Sequence, residues 1–349
     1  VRLAGRCPAR TLVQGMSLRP QGAVSDVRMD QPLAALASRP EAVTRVDTDR
    51  ARLPAFDGTG GRVFVWQRPI LSPDDLAQVR KLIDRGYVVV CDFDDDPDHW
   101  PAIAANRHLT FRAVHAVQTS TPALADRLRV HNPNVRVFAN AIDALPAPPG
   151  PTPPGAPVRL FFGALNRAED WSGLIDAVNG VLARRGDALH VEVVHDRAFF
   201  DALQTAAKTF TPTCGYAAYK AVLRRSDLAL LPLAPTAFNR MKSDLKFVEA
   251  AAHGAVALAS PTVYAESIRH GETGLICETP EAFAAAIEAL LDAPDRRRAI
   301  AGAAHARVRE ERMLAYQVAD RLGWYRELVA RRDRLTRALR ARVPEVDRE

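Results

Sequence analysis

The chain has little cysteine, few aromatic residues, scarce lysine and no long apolar run. Its four cysteines, Cys7, Cys91, Cys214 and Cys277, lie far apart and form no C-x-x-C pair. That spacing argues against a structural zinc site and a disulfide framework, and agrees with a reducing cytoplasm. No apolar stretch approaches the roughly 20 residues that a membrane span requires. Val1 to Pro20 carries arginines but no continuous apolar segment, so it does not read as a secretory signal. Val1 is compatible with an alternative start codon and Met16 with a later one, and residues 1–25 are expected to be irregular. There is no internal repeat of solenoid period.

What is present is an ordinary globular balance, 48% hydrophobic and 25% charged over 349 residues, long enough for two domains. Lys+Arg 47 against Asp+Glu 41 leaves a formal charge of +6, much of it in the carboxyl-terminal region. An excess of this size suits a phosphate-bearing ligand or an anionic surface and does not imply nucleic acid.

The clearest boundary is the proline- and glycine-rich stretch 145–157, a semi-rigid linker that can continue neither a helix nor a sheet. It separates an amino-terminal domain, 26–144, from a second domain, 158–295, which a helical region, 296–349, follows. In the first half, strands are predicted at 62–66, 87–92, 113–119 and 135–139. Helices are predicted at 72–85, capped by Ser72 with Pro73 and two aspartates behind it, and at 122–130. In the second half, strands are predicted at 158–162, 189–194, 228–232, 255–259 and 275–277. Helices there fall at 171–184, 198–207, 216–225, 243–253, 263–269 and 280–291, with Gly254 as a left-handed C-cap. A long helical stretch, 295–342, is expected to bend at Gly323. Strands alternating with helices imply parallel sheets covered on both faces, which bind ligands beyond the carboxyl ends of their strands.

The segment from Leu230 to Ser260 carries the strongest chemical signal. A buried strand gives way to a polar loop with Asn239, Arg240 and Lys242, and a helix opens near Ser243. A helix start favours phosphate through free N–H groups and the positive dipole end. Lys242 and Lys246, four apart, share one helix face, with Glu249 close to it. A diphosphate facing the lysines and a ribose diol facing Glu249 would use all three; the plainer reading is a surface helix with a Lys–Glu pair. Gly163 allows close backbone approach of a ligand, and Arg167 nearby can bind phosphate in bidentate fashion. His195 ends the next strand, where a structural role competes with a ligand contact.

In the first half, Cys91-Asp-Phe-Asp-Asp-Asp-Pro-Asp-His-Trp100 places an acidic loop at a strand end. Asp92, Asp94 and Asp96 are candidate ligands of a divalent cation; alternatively Asp94, Asp95 and Asp96 bind sugar hydroxyls of an acceptor. Trp66 is a candidate for the same acceptor surface, and His99-Trp100 for a sugar-stacking platform, with core packing as the alternative for each. The basic helix 321–342, with Leu322, Trp324, Tyr325, Leu328, Leu335 and Leu339, reads either as a closing helix packed on the fold or as a membrane-surface element.

The second half resembles the donor domain of retaining GT-B glycosyltransferases. The matching elements are Leu231-Pro232, Glu249-Ala-Ala-Ala-His-Gly254, Ala257-Leu-Ala-Ser260, Gly271 to Gly274 and the strand-end Gly163. In the first half, Val137-Phe-Ala-Asn-Ala-Ile-Asp143 is similar to the element that precedes the family's linker. The resemblance covers about residues 114–290. The form Asn-Arg-x-Lys-Ser-Asp-Leu-Lys-Phe resembles a divergent branch found among bacterial polysaccharide glycosyltransferases. The family's first paired glutamate is replaced by Met241, and the cations of its first donor loop fall at Ala164 and Glu169.

The resemblance implies an α/β fold of GT-B type, two Rossmann-like domains with parallel sheets facing across a cleft. It implies hexosyl transfer with retention, from a nucleotide sugar to a saccharide or lipid-linked acceptor, in cell-surface polysaccharide or glycan synthesis. Glu249 would hold the nucleotide ribose, with Lys246, Lys242, Arg167, Asn239, Ser243 and Gly163 around the donor. His195, Trp66 and the acidic loop would face the acceptor. No cofactor is expected, and the acceptor reading of the acidic loop is preferred to a metal site. No catalytic nucleophile or base stands out. A cytoplasmic protein is expected, with peripheral contact at the inner membrane face through the basic carboxyl-terminal helix, and no nucleic-acid partner. The alternatives are a non-catalytic sugar- or nucleotide-binding module and a nucleotide-sugar epimerase.

Overall fold

Short apolar strands and amphipathic helices alternate through the computed structural model, which describes residues 9–18, 23–48, 51–148, 150, 153 and 155–348. Cys7 and, within the linker, Pro149, Pro151, Thr152 and Pro154 lie outside them. The chain forms two compact units. One gathers the residues up to Asp143 (Ala23 excepted) together with Leu314 onward; the other holds Ala144–Met313.

The first unit is built on a six-stranded parallel sheet of order β2-β1-β3-β4-β5-β6. Its strands are β1 Thr11–Met16, β2 Ala42–Asp47, β3 Arg62–Gln67, β4 Tyr87–Asp92, β5 Ala116–Thr119 and β6 Val135–Val137. β4 reads as an unbroken apolar run because both its faces are covered. Tyr87, Val89 and Cys91 join the helix Leu76–Asp84 on one side, and Val88 and Val90 meet Met29, Leu33 and Tyr325 on the other. Ser72 and Asp75 cap the turn before that helix reciprocally, the Ser72 N–H and hydroxyl both donating to Asp75 at 2.8 and 2.7 Å.

β1 corrects the expectation of an irregular start: Thr11–Met16 is an inner strand of the sheet, flanked by β2 and β3. Gln14 and Gly15 interrupt its apolar pattern for reasons that only the fold supplies. Buried Gln14 donates to Asp47 at 2.7 Å, and a Cβ on Gly15 would lie 2.4 Å from the Met29 sulfur. β2 was also not expected. β5 is shorter than predicted, since the helix Leu109–Arg112 precedes it and buried His115 accepts from the Val89 N–H at 2.8 Å.

The second unit has a parallel sheet of order β12-β11-β10-β7-β8-β9. It comprises β7 Val158–Gly163, β8 Leu189–Val194, β9 Lys208–Thr211, β10 Leu228–Leu231, β11 Val256–Ala259 and β12 Leu275–Ile276. Leu160, Phe162, Val191, Val193, Leu230 and Leu258 pack against the helices Ile175–Arg185 and Pro280–Leu291. The helices Tyr216–Arg224 and Leu245–Ala252 pack together and onto β7, β10 and β11. Gly254, at φ 83°, turns the chain from Leu245–Ala252 into β11, as a left-handed C-cap should. The predicted helix 198–207 ends at Ala202, and the chain continues into the unexpected edge strand β9.

The long carboxyl-terminal helix is instead three helices, Pro294–Glu311, Val318–Ala330 and Arg332–Arg342. The expected bend is corrected as well: Gly323 lies inside a helix, and the chain breaks near Arg312 and Arg331. After the break at Arg312, Leu322, Tyr325, Leu328 and Leu335 cover one face of the first unit's sheet, and Leu339 joins the core of the other. The apolar side chains read as a membrane-surface face are therefore consumed by packing. Among the described residues, no helix is long and apolar enough to cross a membrane.

Candidate functional site

Parallel strands deliver their loops to one end of a sheet, and in the second unit four loops meet at the ends of β7, β8, β10 and β11. The helix Leu245–Ala252 stands behind them and supplies Lys246 and Glu249 from one turn. Glu249 is 2% exposed. The Tyr216 hydroxyl donates to its Oε1 at 2.8 Å and the Tyr219 hydroxyl to its Oε2 at 3.3 Å. Burial raises the Glu249 carboxyl above its ordinary value, against the pull of Lys246 and the two tyrosines. Burial also lowers the Lys246 ammonium; Glu249 opposes that shift and Arg167 adds to it.

Lys246 donates to the carbonyl of Gly163 at the end of β7, and its ammonium lies 5.7 Å from the centre of the Tyr219 ring. His195 stacks on the same ring, with centroids 6.0 Å apart and planes 8° from parallel. Its backbone is held at φ 74°, and its buried Nδ1 has no hydrogen-bond partner among the described residues. A non-glycine residue in that conformation costs on the order of 1–3 kcal/mol and persists only where its surroundings fix it. Burial, with Lys246 next, holds the imidazole below its ordinary pKa and so favours the neutral ring. Tyr219 thus touches three of the predicted residues. A Cβ on Gly163 would lie 2.3 Å from the Phe161 ring and 2.8 Å from Tyr219, so that glycine is demanded by ring packing.

A second cluster is bound to the first through β7. Arg167 donates to Asn239 Oδ1 at 2.9 Å and approaches Asp170 at 3.3 Å. Asn239 is 3% exposed; its Nδ2 donates to Asp170 at 2.6 Å and to the Ala234 carbonyl at 3.0 Å. Asp170 also accepts from the Ala234 N–H at 2.9 Å, so the loop after β10 is clamped to the loop after β7. Lys242 lies 4.0 Å from the centre of the Phe238 ring, which Arg167 also faces at 5.8 Å.

Lys242 corrects one expectation. It precedes the helix, which begins at Leu245, so it does not share a helical face with Lys246. Ser243 likewise lies before the helix, whose N-cap is Asp244. The Asp244 carboxylate is held by Arg312 at 2.5 and 2.7 Å and by the Ser267 hydroxyl at 2.5 Å. Burial pushes that carboxyl up, but Arg312 and Ser267 bring it below its ordinary value. Sequence reasoning missed Tyr216, Tyr219 and Asp170. The i, i+3 spacing of the tyrosines was legible; nothing local marked Asp170.

In the first unit the acidic loop is resolved by arginines. Asp92 is fully buried and takes Arg28 in bidentate fashion at 3.2 and 2.8 Å, with Gln118 at 2.6 Å. Arg68 bonds Asp94 at 2.7 Å and lies 3.8 Å from Asp95. Asp96 caps the turn Pro97–His99 by accepting from the Asp98 N–H at 3.1 Å, and Arg127 lies 3.9 Å from Asp96 and pairs with Asp98. Three guanidinium groups thus divide the five carboxylates, Arg28 taking Asp92, Arg68 facing Asp94 and Asp95, and Arg127 facing Asp96 and Asp98. Among the described residues, no group of three or more His, Cys, Asp or Glu is placed to hold a metal ion. Trp66 is half-buried, edge-on to Phe64 at 5.8 Å.

Residues 156–293 match the family described as "Glycosyl transferases group 1". No curated protein matches the sequence. Sucrose-phosphate synthase of Thermosynechococcus elongatus is similar in structure, with TM-score 0.64 at 15% identity over 92% of this chain and 100% of that one. HepE of Anabaena, solved with UDP and glucose, gives 0.61 at 14% identity over 90% and 99%. TarM of S. aureus, solved with fondaparinux, α-GlcNAc-glycerol and UDP, gives 0.58 at 10% identity, covering 76% of this chain and 55% of TarM. The chain thus spans about half of TarM and nearly all of the other two. Two six-stranded parallel sheets of this order and these structural likenesses make the fold α/β of GT-B type, and residues 156–293 are similar to the glycosyl transferases group 1 family.

Proposed function

We propose that the protein is a retaining glycosyltransferase that moves a hexose from a nucleotide sugar to a saccharide or lipid-linked acceptor in bacterial cell-surface polysaccharide synthesis. The observation that carries this reading is the meeting of Lys246, Glu249, His195 and Gly163 around Tyr219, in the domain that matches the family. UDP in the HepE and TarM structures supports a nucleoside diphosphate as the bound anion.

In this reading Lys246, with Arg167 and Lys242, faces the diphosphate. Cations fixed before the reaction stabilise the charge that grows on the leaving diphosphate and need no reorganisation as it departs. Glu249 offers its remaining lone pairs to the ribose diol, held in place by Tyr216 and Tyr219. The Nδ1 of His195, without a hydrogen-bond partner among the described residues, gives the neutral ring one further polar contact for the ligand. The loop of Asp94, Asp95 and Asp96, braced by Arg68 and Arg127, is the proposed acceptor surface of the first unit.

A thermal-shift panel of nucleoside diphosphates and nucleotide sugars tests the donor site. A matching nucleotide should raise the melting temperature, and Lys246→Ala and Glu249→Ala should each remove most of the rise. Indifference of the unsubstituted protein to every nucleotide would sink the proposal. Turnover with an acceptor then separates transfer from mere binding, and product analysis without acceptor reveals an epimerase.

A further inference from the structure

At the amino ends of the second unit's strands, opposite the site above, arginines and small residues enclose a cavity of about 580 Å³. Arg159 lies in β7, Arg224 and Arg225 close the helix Tyr216–Arg224, and Arg297 and Arg298 stand near the start of Pro294–Glu311. Separate elements thus bring five arginines to the wall of one space.

Local needs do not account for all of them. Glu192 is shared by Arg159 at 2.6 Å and Arg225 at 2.9 Å, and Asp227 lies 3.9 Å from Arg297. Arg298 pairs with exposed Asp295 one turn back, and such a surface pair is cheaply given up. Arg224 is exposed and makes no ion pair among the described residues. Arg224 and Arg225 suit the negative end of their helix, whereas Arg297 and Arg298 sit at a positive end, where cations are disfavoured. Arg297 is buried and donates to the Leu290 carbonyl at 2.5 Å, which explains it; Arg298 is left without a structural reason.

The same helix presents Ala301 and Gly302 to the cavity. Glycine weakens a helix interior, yet a Cβ on Gly302 would meet nothing within 4 Å. Packing does not require this glycine, which lies on the cavity wall.

We propose that this cavity is a second anion site, which takes the phosphate of a small phosphorylated molecule of sugar-phosphate or nucleotide size. The volume falls within the range of small-molecule pockets. Guanidinium forks match phosphate oxygens in bidentate fashion, and Arg224 and Arg298 are the two with side chains available to do so. Pro157, Ala301 and Gly302 line the space for the rest of the ligand. The site stands independently of the donor-site reading.

Titration calorimetry with inorganic pyrophosphate at low ionic strength tests it, in full-length protein carrying Lys246→Ala so that the donor site contributes least. In that background, Arg224→Ala with Arg298→Ala should weaken binding at least tenfold. Gly302→Phe, which fills the cavity and leaves its charge intact, should do the same, and Gly302→Ala should not. Circular dichroism melting confirms that each variant is folded, and the arginine pair decides should Gly302→Phe not fold. Co-sedimentation with phosphatidic-acid vesicles separates the sources of phosphate. Pyrophosphate binding assigns a free metabolite, and vesicle binding alone, lost in the same variants, assigns a lipid headgroup. Binding of neither, or binding that ignores these substitutions, overturns the proposal.

Discussion

Glu249 and Lys246 carry opposite burdens in one place, because burial disfavours the charged form of both. The carboxyl has a raised folded-state pKa, so its stabilising contribution is complete below its ordinary value of 4.5 and is lost as pH rises through the folded value. Glu249→Gln retains an acceptor for the tyrosines and does not ionise. Its melting temperature should match the parent below pH 4.5, exceed it increasingly as pH rises, and level off once Glu249 is ionised in the folded parent, while nucleotide affinity falls at least tenfold. A difference in melting temperature that stays flat with pH would show that the buried charge costs the fold nothing. At this scale the sequence was legible where residue type is chemically distinctive, as for Lys246, Glu249 and Arg167. It was opaque where a role is conferred by contact across the fold. Tyr219 is an ordinary helix tyrosine until β7, β8 and the helix of Glu249 close around it. The arginines that pair with the five aspartates, Arg28, Arg68 and Arg127, are distant in sequence, so the acidic loop read only as candidate metal ligands or acceptor contacts.

The helix Leu245–Ala252 is the element on which the donor-site reading turns, and its start is pinned by Arg312 from beyond the end of another helix. Both side chains of the Asp244–Arg312 pair are less than one-fifth exposed. Removing one partner of a buried pair leaves the other uncompensated, at a cost on the order of 3 kcal/mol. Arg312→Met should therefore lower stability by about that much in chemical denaturation. It should also weaken nucleotide binding, although Arg312 itself is not proposed to touch the ligand. A loss of stability with unaltered affinity would mean that the helix start does not position Lys246. Elements with strong punctuation were predictable: Ser72 with Asp75, and Gly254, mark their helix ends by local chemistry alone. The edge strands β2 and β9 and the breaks near Arg312 and Arg331 were not, since neighbouring strands and packing partners create them.

At the level of the whole molecule, the two parallel sheets followed from the alternation of strands and helices, but the assignment of the last residues did not. Residues from Leu314 onward belong with the first unit, where Leu322, Tyr325 and Leu328 cover its sheet. Deleting 314–349 should leave the second unit able to fold and bind nucleotide, while the first loses protection in hydrogen exchange across β3 and β4. Uniform protection in both units after the deletion would contradict that division of the core.

The hydrogen bond from the Leu314 N–H to the Ile142 carbonyl, 2.8 Å long, closes the first unit where the second begins and ends. During translation this contact forms only after the second unit has been made. The ribosome releases the whole second unit while the first still lacks the helices that seal one face of its sheet. Once folded, the second unit holds its two chain ends close together, which shortens the effective loop that the first must close. The nascent chain thus carries an exposed half-covered sheet for the time needed to make about 170 residues. Its demand for chaperones should be greatest in that interval.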